Sequence, residues 1–340
     1  MQLETIKKVL IIQTAFLGDV VLATALIEKL HQFYPHAQLD FMLRKGNEGL
    51  LKGHPILKNV LVWDKKGGKY SNLLKLLRKV RQEQYDVVVN LQRYGTTGIF
   101  TALSGAFKTT GFDKNPFSRL FSESYPHDME SGMHEVERNQ LLIAKITDGV
   151  AAKPRLYPSD ADLALVEPLK KESYICMAPT SVWFTKQYPL EKWVDLLNTI
   201  EPRYKVFLLG SPADNEHCDS IISKTTHQKV ENLCGKLNLL QSAALMRDAV
   251  LNYVNDSGPM HLASSQNAST CAIYCSTVPC FGYGPLADFS MVVQKEEPLY
   301  CRPCGLHGYK ACPQGHFKCA IDIKNDQLLK VLEIAEARAV

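Results

Sequence analysis

The sequence contains no apolar run approaching the roughly 18 residues that a membrane-spanning helix needs. It also lacks a Gly-x-Gly-x-x-Gly after its first strand-like run, a Walker A loop and a Gly-x-Ser-x-Gly elbow. These absences argue against a dinucleotide dehydrogenase, a P-loop nucleoside triphosphatase and an α/β-hydrolase. No segment is of low complexity and no short-period repeat is present, so solenoid and fibrous architectures are set aside. Net charge is small, +4, which is too weak to imply nucleic acid as a partner. The opening residues, MQLETIKKVLIIQTAFLGD, read as a first strand followed by a turn and not as a secretory leader, so a cytoplasmic chain is expected.

What is present points to a globular α/β protein. At 340 residues the chain is long for one core, and two domains are expected. Hydrophobic content of 46% and charged content of 22% are ordinary for such a protein. Near-continuous apolar runs such as KVLIIQTA and YDVVVNLQ are the pattern of parallel strands covered on both faces. They alternate with segments of helical period, among them Asp19 to Tyr34, YSNLLKLLRKVRQEQ and SGMHEVERNQLLIAKITDG. VAAKPRLYPSDADLAL carries two prolines and weak periodicity and is taken as a linker. A second strand–helix series follows it. The expected organisation is a domain over 1–160, a second over 161–325 and a closing helix over 326–340. Two doubly wound sheets facing across a cleft would bind ligands at the carboxyl ends of their strands.

The loops at those ends carry the candidate chemistry. In FLGDVV, Asp19 beside Gly18 is a lone carboxylate at the start of a helix. In APTSVWFTKQYPLEKW, Thr180, Ser181 and Lys186 offer hydroxyls and a cation suited to phosphate oxygens. In LLGSPADNE, Glu216 is either a ribose ligand or a first-turn helix acid. NDSGPMHLASS opens a helix on small residues, where free N–H groups and the helix dipole favour an anion. Asp256, Ser257, Gly258 and His261 lie there, and Ser276 and Thr277 follow the next strand.

In this order, TAFLGDVVLATAL, TSVWFTKQYPLEKW, LLGSPADNE, NDSGPMHLAS and IYCSTVP resemble glycosyltransferase family 9, the ADP-heptose:lipopolysaccharide heptosyltransferases, on the side of the heptosyltransferase II branch. The resemblance runs over nearly the whole chain. It implies a GT-B fold of two Rossmann-like domains, with acceptor bound by the first and nucleotide-sugar by the second. It further implies inverting transfer of heptose from ADP-heptose to a lipid A–core acceptor, with no cofactor required for catalysis. Carried over by position, Asp19 is the general base and Lys186 stabilises the leaving diphosphate. Thr180, Ser181, Glu216, Asp256, Ser257, Gly258, His261, Ser276 and Thr277 fall on the donor side, and Gly18 on the acceptor side. Arg93, at the end of a strand, is singled out from the residues as an acceptor contact, with His134 and Arg138 as further acceptor candidates. Two departures stand out: Cys275 where glycine is expected, and HLASSQNAST, which is more polar than the usual alanine-rich run.

Two further readings rest on composition. From Lys65 to Arg81 there are seven basic residues and no acid, either a solvated helix face or a patch for an anionic partner such as phosphorylated lipid at the inner-membrane face. Of the ten cysteines, Cys301, Cys304, Cys312 and Cys319 cluster in CRPCGLHGYKACPQGHFKC, spacing that could hold a structural zinc or belong to reduced thiols packed in a loop. The rival functions are a GT-B transferase acting on another nucleotide-sugar or glycan, and a non-catalytic protein that binds glycolipid.

Overall fold

The computed structural model describes residues 6–339, which divide into two compact units, one ending at Tyr157 and the other beginning at Pro158. In the first unit the order is β1 (Lys8–Ile12), α1 (Leu17–Phe33), β2 (Gln38–Arg44), β3 (Leu57–Trp63), α2 (Lys69–Glu83), β4 (Val87–Asn90), α3 (Gly95–Ala102), β5 (Lys108–Phe112), β6 (Glu123–Tyr125) and α4 (Glu135–Leu141). The second unit runs α5 (Asp160–Val166), β7 (Tyr174–Ala178), α6 (Leu190–Thr199), β8 (Lys205–Leu208), α7 (Asn215–Lys224), β9 (Val230–Asn232), α8 (Leu239–Arg247), β10 (Leu251–Asn255), α9 (Gly258–Ser265), β11 (Thr270–Tyr274), β12 (Ser290–Gln294), α10 (Lys318–Ile321) and α11 (Asn325–Ala339).

Each unit is built on one six-stranded parallel sheet. The orders are β3-β2-β1-β4-β5-β6 and β12-β11-β10-β7-β8-β9, the same doubly wound arrangement twice. The apolar runs explain the central strands. Val9, Leu10, Ile11 and Ile12 are all fully buried, as are Ile175 and Tyr253 in the second sheet. Each such aliphatic side chain contributes about 2 kcal/mol relative to exposure. Helix α1 is buried from Val20 through Ile27, which accounts for its all-round apolar sequence. In the second unit Tyr188 and Trp193 meet edge to face at 5.3 Å within a core that also takes in Val331 and Leu332 of α11. Among the described residues no helix is long and apolar enough to cross a membrane.

The topology fixes where a ligand site can form. Strand order reverses between β1 and β4 in one sheet and between β7 and β10 in the other. Helices leave these neighbouring strands toward opposite faces, so a crevice opens at their carboxyl ends.

Two expectations are corrected. Residues 159–165 of the assumed linker are mostly helical: Ser159 caps α5 by accepting the Asp162 N–H, and Asp162 returns the contact to the Ser159 N–H. The long helix expected from Ser131 to Gly149 is confined to α4, followed by a 3-10 turn over Ala144–Ile146. His134 starts it by accepting the Val136 N–H on its ring. In the basic run from Lys65 to Arg81, the side chains of Lys65, Lys66, Lys75, Arg78, Lys79 and Arg81 are exposed, as a solvated face requires. Leu73 and Val80 of α2 are buried, while Lys65 turns back over Trp63 and donates to the Thr14 carbonyl at 2.8 Å.

Candidate active site

The first unit presents one carboxylate at its reversal point. Gly18 and Asp19 are the second and third residues of α1, directly after β1. The Asp19 carboxylate accepts the Phe16 N–H at 3.1 Å, as an acid in the third helical position does. The preceding loop is tied down from three sides. Gln13 accepts the Ala15 N–H, Asn47 donates to the Ala15 carbonyl, and Lys65 holds Thr14. Asp19 is pushed up to about 6. Burial is the main cause and the negative charge of Glu135 adds to it; the Phe16 and Asp19 N–H groups and Arg44 work the other way.

Glu135 is fixed by its own partners. It is buried, accepts two hydrogen bonds from Arg138 at 3.0 and 2.8 Å, and faces His127 at 3.6 Å. Burial opposes its charge, but His127 and Arg138 outweigh burial and hold the carboxyl below its ordinary range. Arg138 is therefore spent inside the unit, 1% exposed, and is not available to a sugar phosphate. Arg93 is half-buried three residues beyond β4. Close by, Thr14, Asn90 and Gln92 are buried polar residues at the ends of β1 and β4, and Gln92 donates to Gln13.

The second unit presents a cation and hydroxyls at the equivalent place. Lys186 closes a 3-10 turn over Phe184–Lys186, and its Nζ lies 2.7 Å from Asp256 Oδ2. The Thr277 hydroxyl donates to the same carboxylate oxygen at 2.6 Å. Ser276 donates to the Thr185 hydroxyl at 3.0 Å. Asn255 organises the strand end. Its amide donates to the Ala178 and Pro179 carbonyls, and its oxygen accepts the Tyr188 N–H. That places the Thr180–Ser181 loop after β7 beside the start of α9 after β10. Ser257 is the N-cap of α9, Gly258 its first residue, and His261 is buried one turn in. The structure thus gathers Thr180, Ser181, Lys186, Asp256, Ser257, Gly258, Ser276 and Thr277 at the carboxyl ends of three adjacent strands, β7, β10 and β11. Glu216 stands apart from this group. It is exposed on the first turn of α7, beyond β8, while the loop before it is capped by Asp214 on Ser211. Basic and hydroxyl groups at a helix start can bind and neutralise a diphosphate.

The chain matches the family model for glycosyltransferase family 9 (heptosyltransferase) over residues 73–307. That span is more than half of the sequence. The chain belongs to this family. It is a glycosyltransferase with the GT-B fold. It is 26% identical over 275 residues to lipopolysaccharide heptosyltransferase 3 of Escherichia coli (strain K12), covering 76% of this chain and 80% of that one. To lipopolysaccharide heptosyltransferase 1 of Pseudomonas aeruginosa it is 24% identical, covering 95% and 93%. Its fold superposes on a structure of E. coli ADP-heptose lipopolysaccharide heptosyltransferase II with a TM-score of 0.81 and 22% identity, covering 98% of this chain and 99% of that one.

Both departures from the family pattern have local explanations. Cys275 is fully buried in the core of the second unit. Ser264 and Ser265 in the polar run donate back to the Met260 and Leu262 carbonyls, so α9 satisfies them internally.

The four clustered thiols line one cavity of about 220 Å³ together with Thr185, Tyr309, His316 and Phe317. Cys301 Sγ stands 4.0 Å from His316 Nε2. Burial first, and neighbouring thiols second, push Cys319 up to about 12 and raise Cys304. Among the described residues, no three His, Cys, Asp or Glu side chains converge as a metal-holding group.

Proposed function

We propose that this chain is an inverting heptosyltransferase that moves heptose from ADP-heptose to the inner core of lipopolysaccharide. The observation that carries the reading is the chemical contrast between the two reversal points. One ends on a carboxylate held near pH 6, the other on a lysine, two hydroxyl residues and a helix start. The names of the relatives supply the sugar and the acceptor, and the family supplies the reaction class.

In this mechanism Asp19 takes the proton of the acceptor hydroxyl as its oxygen bonds to the anomeric carbon. The bond from that carbon to the diphosphate oxygen breaks on the opposite side, so the configuration inverts. ADP leaves with both electrons of that bond. Lys186, the Ser276–Thr277 loop and the start of α9 balance the growing negative charge. Lysine suits this role because its ammonium has three donors and can serve Asp256 and a phosphate oxygen together. Thr180, Ser181, Asp256, Ser257, Gly258 and His261 complete the donor site, and Glu216 reaches the ribose. Gly18 and Arg93 serve the acceptor. The enzyme works at the cytoplasmic face of the inner membrane, where the basic surface of α2 meets phosphorylated lipid. Catalysis needs no metal in this reading. A zinc at Cys301, Cys304, Cys312 and Cys319 would be architectural and would require the sulfurs to draw together. Elemental analysis of purified protein decides that point.

The test is ADP release on mixing the protein with ADP-heptose and heptose-deficient lipopolysaccharide. Release is expected, and Lys186→Ala is expected to lower it about 10²–10³-fold, as for loss of one charge stabiliser. Release with a different nucleotide-sugar alone moves the assignment to another transferase. Binding of glycolipid without release from any donor makes the chain a non-catalytic binder.

A further inference from the structure

The cysteine-rich segment, residues 301–319, has no part in the chemistry above, yet it lies against the residues that carry it. Thr185, next to Lys186, is 1% exposed and sits at the centre of the contact. Its N–H donates to the Tyr309 carbonyl at 3.1 Å, and its hydroxyl accepts the Tyr309 N–H at 2.7 Å. The same hydroxyl accepts from Ser276 at 3.0 Å. The Cys304 N–H donates to the Ser276 carbonyl at 2.8 Å, and Arg302 donates to the Thr277 carbonyl at 2.7 Å. Phe317 packs on Phe184 with ring centres 5.0 Å apart. Gly308 makes the closest approach. Its φ is +75°, and a Cβ there would stand 2.8 Å from the Thr185 hydroxyl, 3.1 Å from Lys186 Cγ and 3.2 Å from the Ser276 hydroxyl. Only glycine fits both the left-handed backbone and the space.

We propose that this segment is a brace for the diphosphate site and that Thr185 is the positioning residue through which it sets Lys186. The inference rests on the reading of Lys186 as the diphosphate ligand. A lysine stem has four rotatable bonds, and ordering it costs up to about 2 kcal/mol of rotamer freedom. The buried Thr185 that precedes it and the Gly308 backbone against its Cγ remove part of that freedom before any ligand arrives. Preorganisation of this kind favours the phosphate-bound state without touching the phosphate. The hydroxyl is what joins the turn at Thr185, the loop at Ser276 and the segment at Tyr309. Valine keeps its shape but leaves the Tyr309 N–H and the Ser276 hydroxyl without their acceptor.

The experiment is calorimetric titration of the full chain with ADP, and with adenosine as the ligand lacking phosphates. Thr185→Val is expected to weaken ADP about tenfold or more, the effect of two buried donors left without their acceptor, and to leave adenosine unchanged. Thr185→Ser, which keeps the hydroxyl, is expected to stay within about twofold of the parent. Should Thr185→Val not fold, Phe317→Leu serves, since it loosens the packing of the segment on Phe184 and deletes no hydrogen bond. It is expected to show the same selective loss. Parent-like ADP affinity in either folded variant, or equal loss of ADP and adenosine, overturns the brace. A different result sinks the underlying reading instead. If the parent binds no ADP, or Lys186→Ala binds it as well as the parent, Lys186 is not the diphosphate ligand and the brace falls with it.

Discussion

Asp19 is held where its charge is costly. Its carboxyl titrates near 6 because burial and Glu135 disfavour the anion more than two N–H groups and Arg44 favour it. A base must be deprotonated, so turnover is expected to fall about tenfold per pH unit below 6 and to level off above it. A pH–rate profile measured at saturating donor checks this. Linkage gives the stability side with its sign. A carboxyl whose folded value is raised supports the fold fully below its unfolded value near 3.8, and this support is lost as pH rises through about 6. Asp19→Asn keeps an oxygen for the Phe16 N–H and removes the charge. Its melting temperature is expected to exceed the parent's at pH 7.5 and to approach it at pH 4. The opposite ordering in thermal melts would show that the charge is not under strain. A residue that destabilises the native state at working pH and is nonetheless present fits a functional role.

At the scale of elements, the strands were readable and the helix limits less so. KVLIIQTA, YDVVVNLQ and SYICMAP are apolar because they are central strands covered on both faces, and composition shows that directly. The short edge strand β6, Glu-Ser-Tyr, has no apolar run because one side of it is half-solvated. Helix α5 was hidden by Pro154 and Pro158 just ahead of it, yet Ser159 followed by Asp162 is a capping pair written in the sequence. Ser159→Ala is expected to cost about 1 kcal/mol, read as a lower urea midpoint. The loops after β7, β10 and β11 were legible as candidate phosphate sites because such sites draw on a narrow set of residue types. Asn255, Glu135 and Thr185 were not, since each acts through a partner distant in sequence. Asn255 bridges strand ends 77 residues apart, and Thr185 meets Tyr309 across 124. The His127, Glu135 and Arg138 cluster left one local trace, an acid and an arginine three residues apart.

At the scale of the molecule, one doubly wound plan is used twice with different chemistry at its reversal point. Each unit has its own sheet and its own core. The proposed donor ligands all belong to the unit beginning at Pro158. Residues 158–340 expressed alone are therefore expected to fold and to bind ADP, with an affinity within about tenfold of the full chain, readable by titration calorimetry and circular dichroism. Failure of a folded fragment to bind would place part of the nucleotide site elsewhere. The central claim is that the carboxylate at position 19 moves a proton during transfer. The direct measurement is turnover of Asp19→Asn with ADP-heptose and heptose-deficient lipopolysaccharide, alongside its ADP affinity. A fall in turnover of about 10²–10⁴-fold with ADP affinity unchanged is expected. Turnover equal to the parent's would contradict the account.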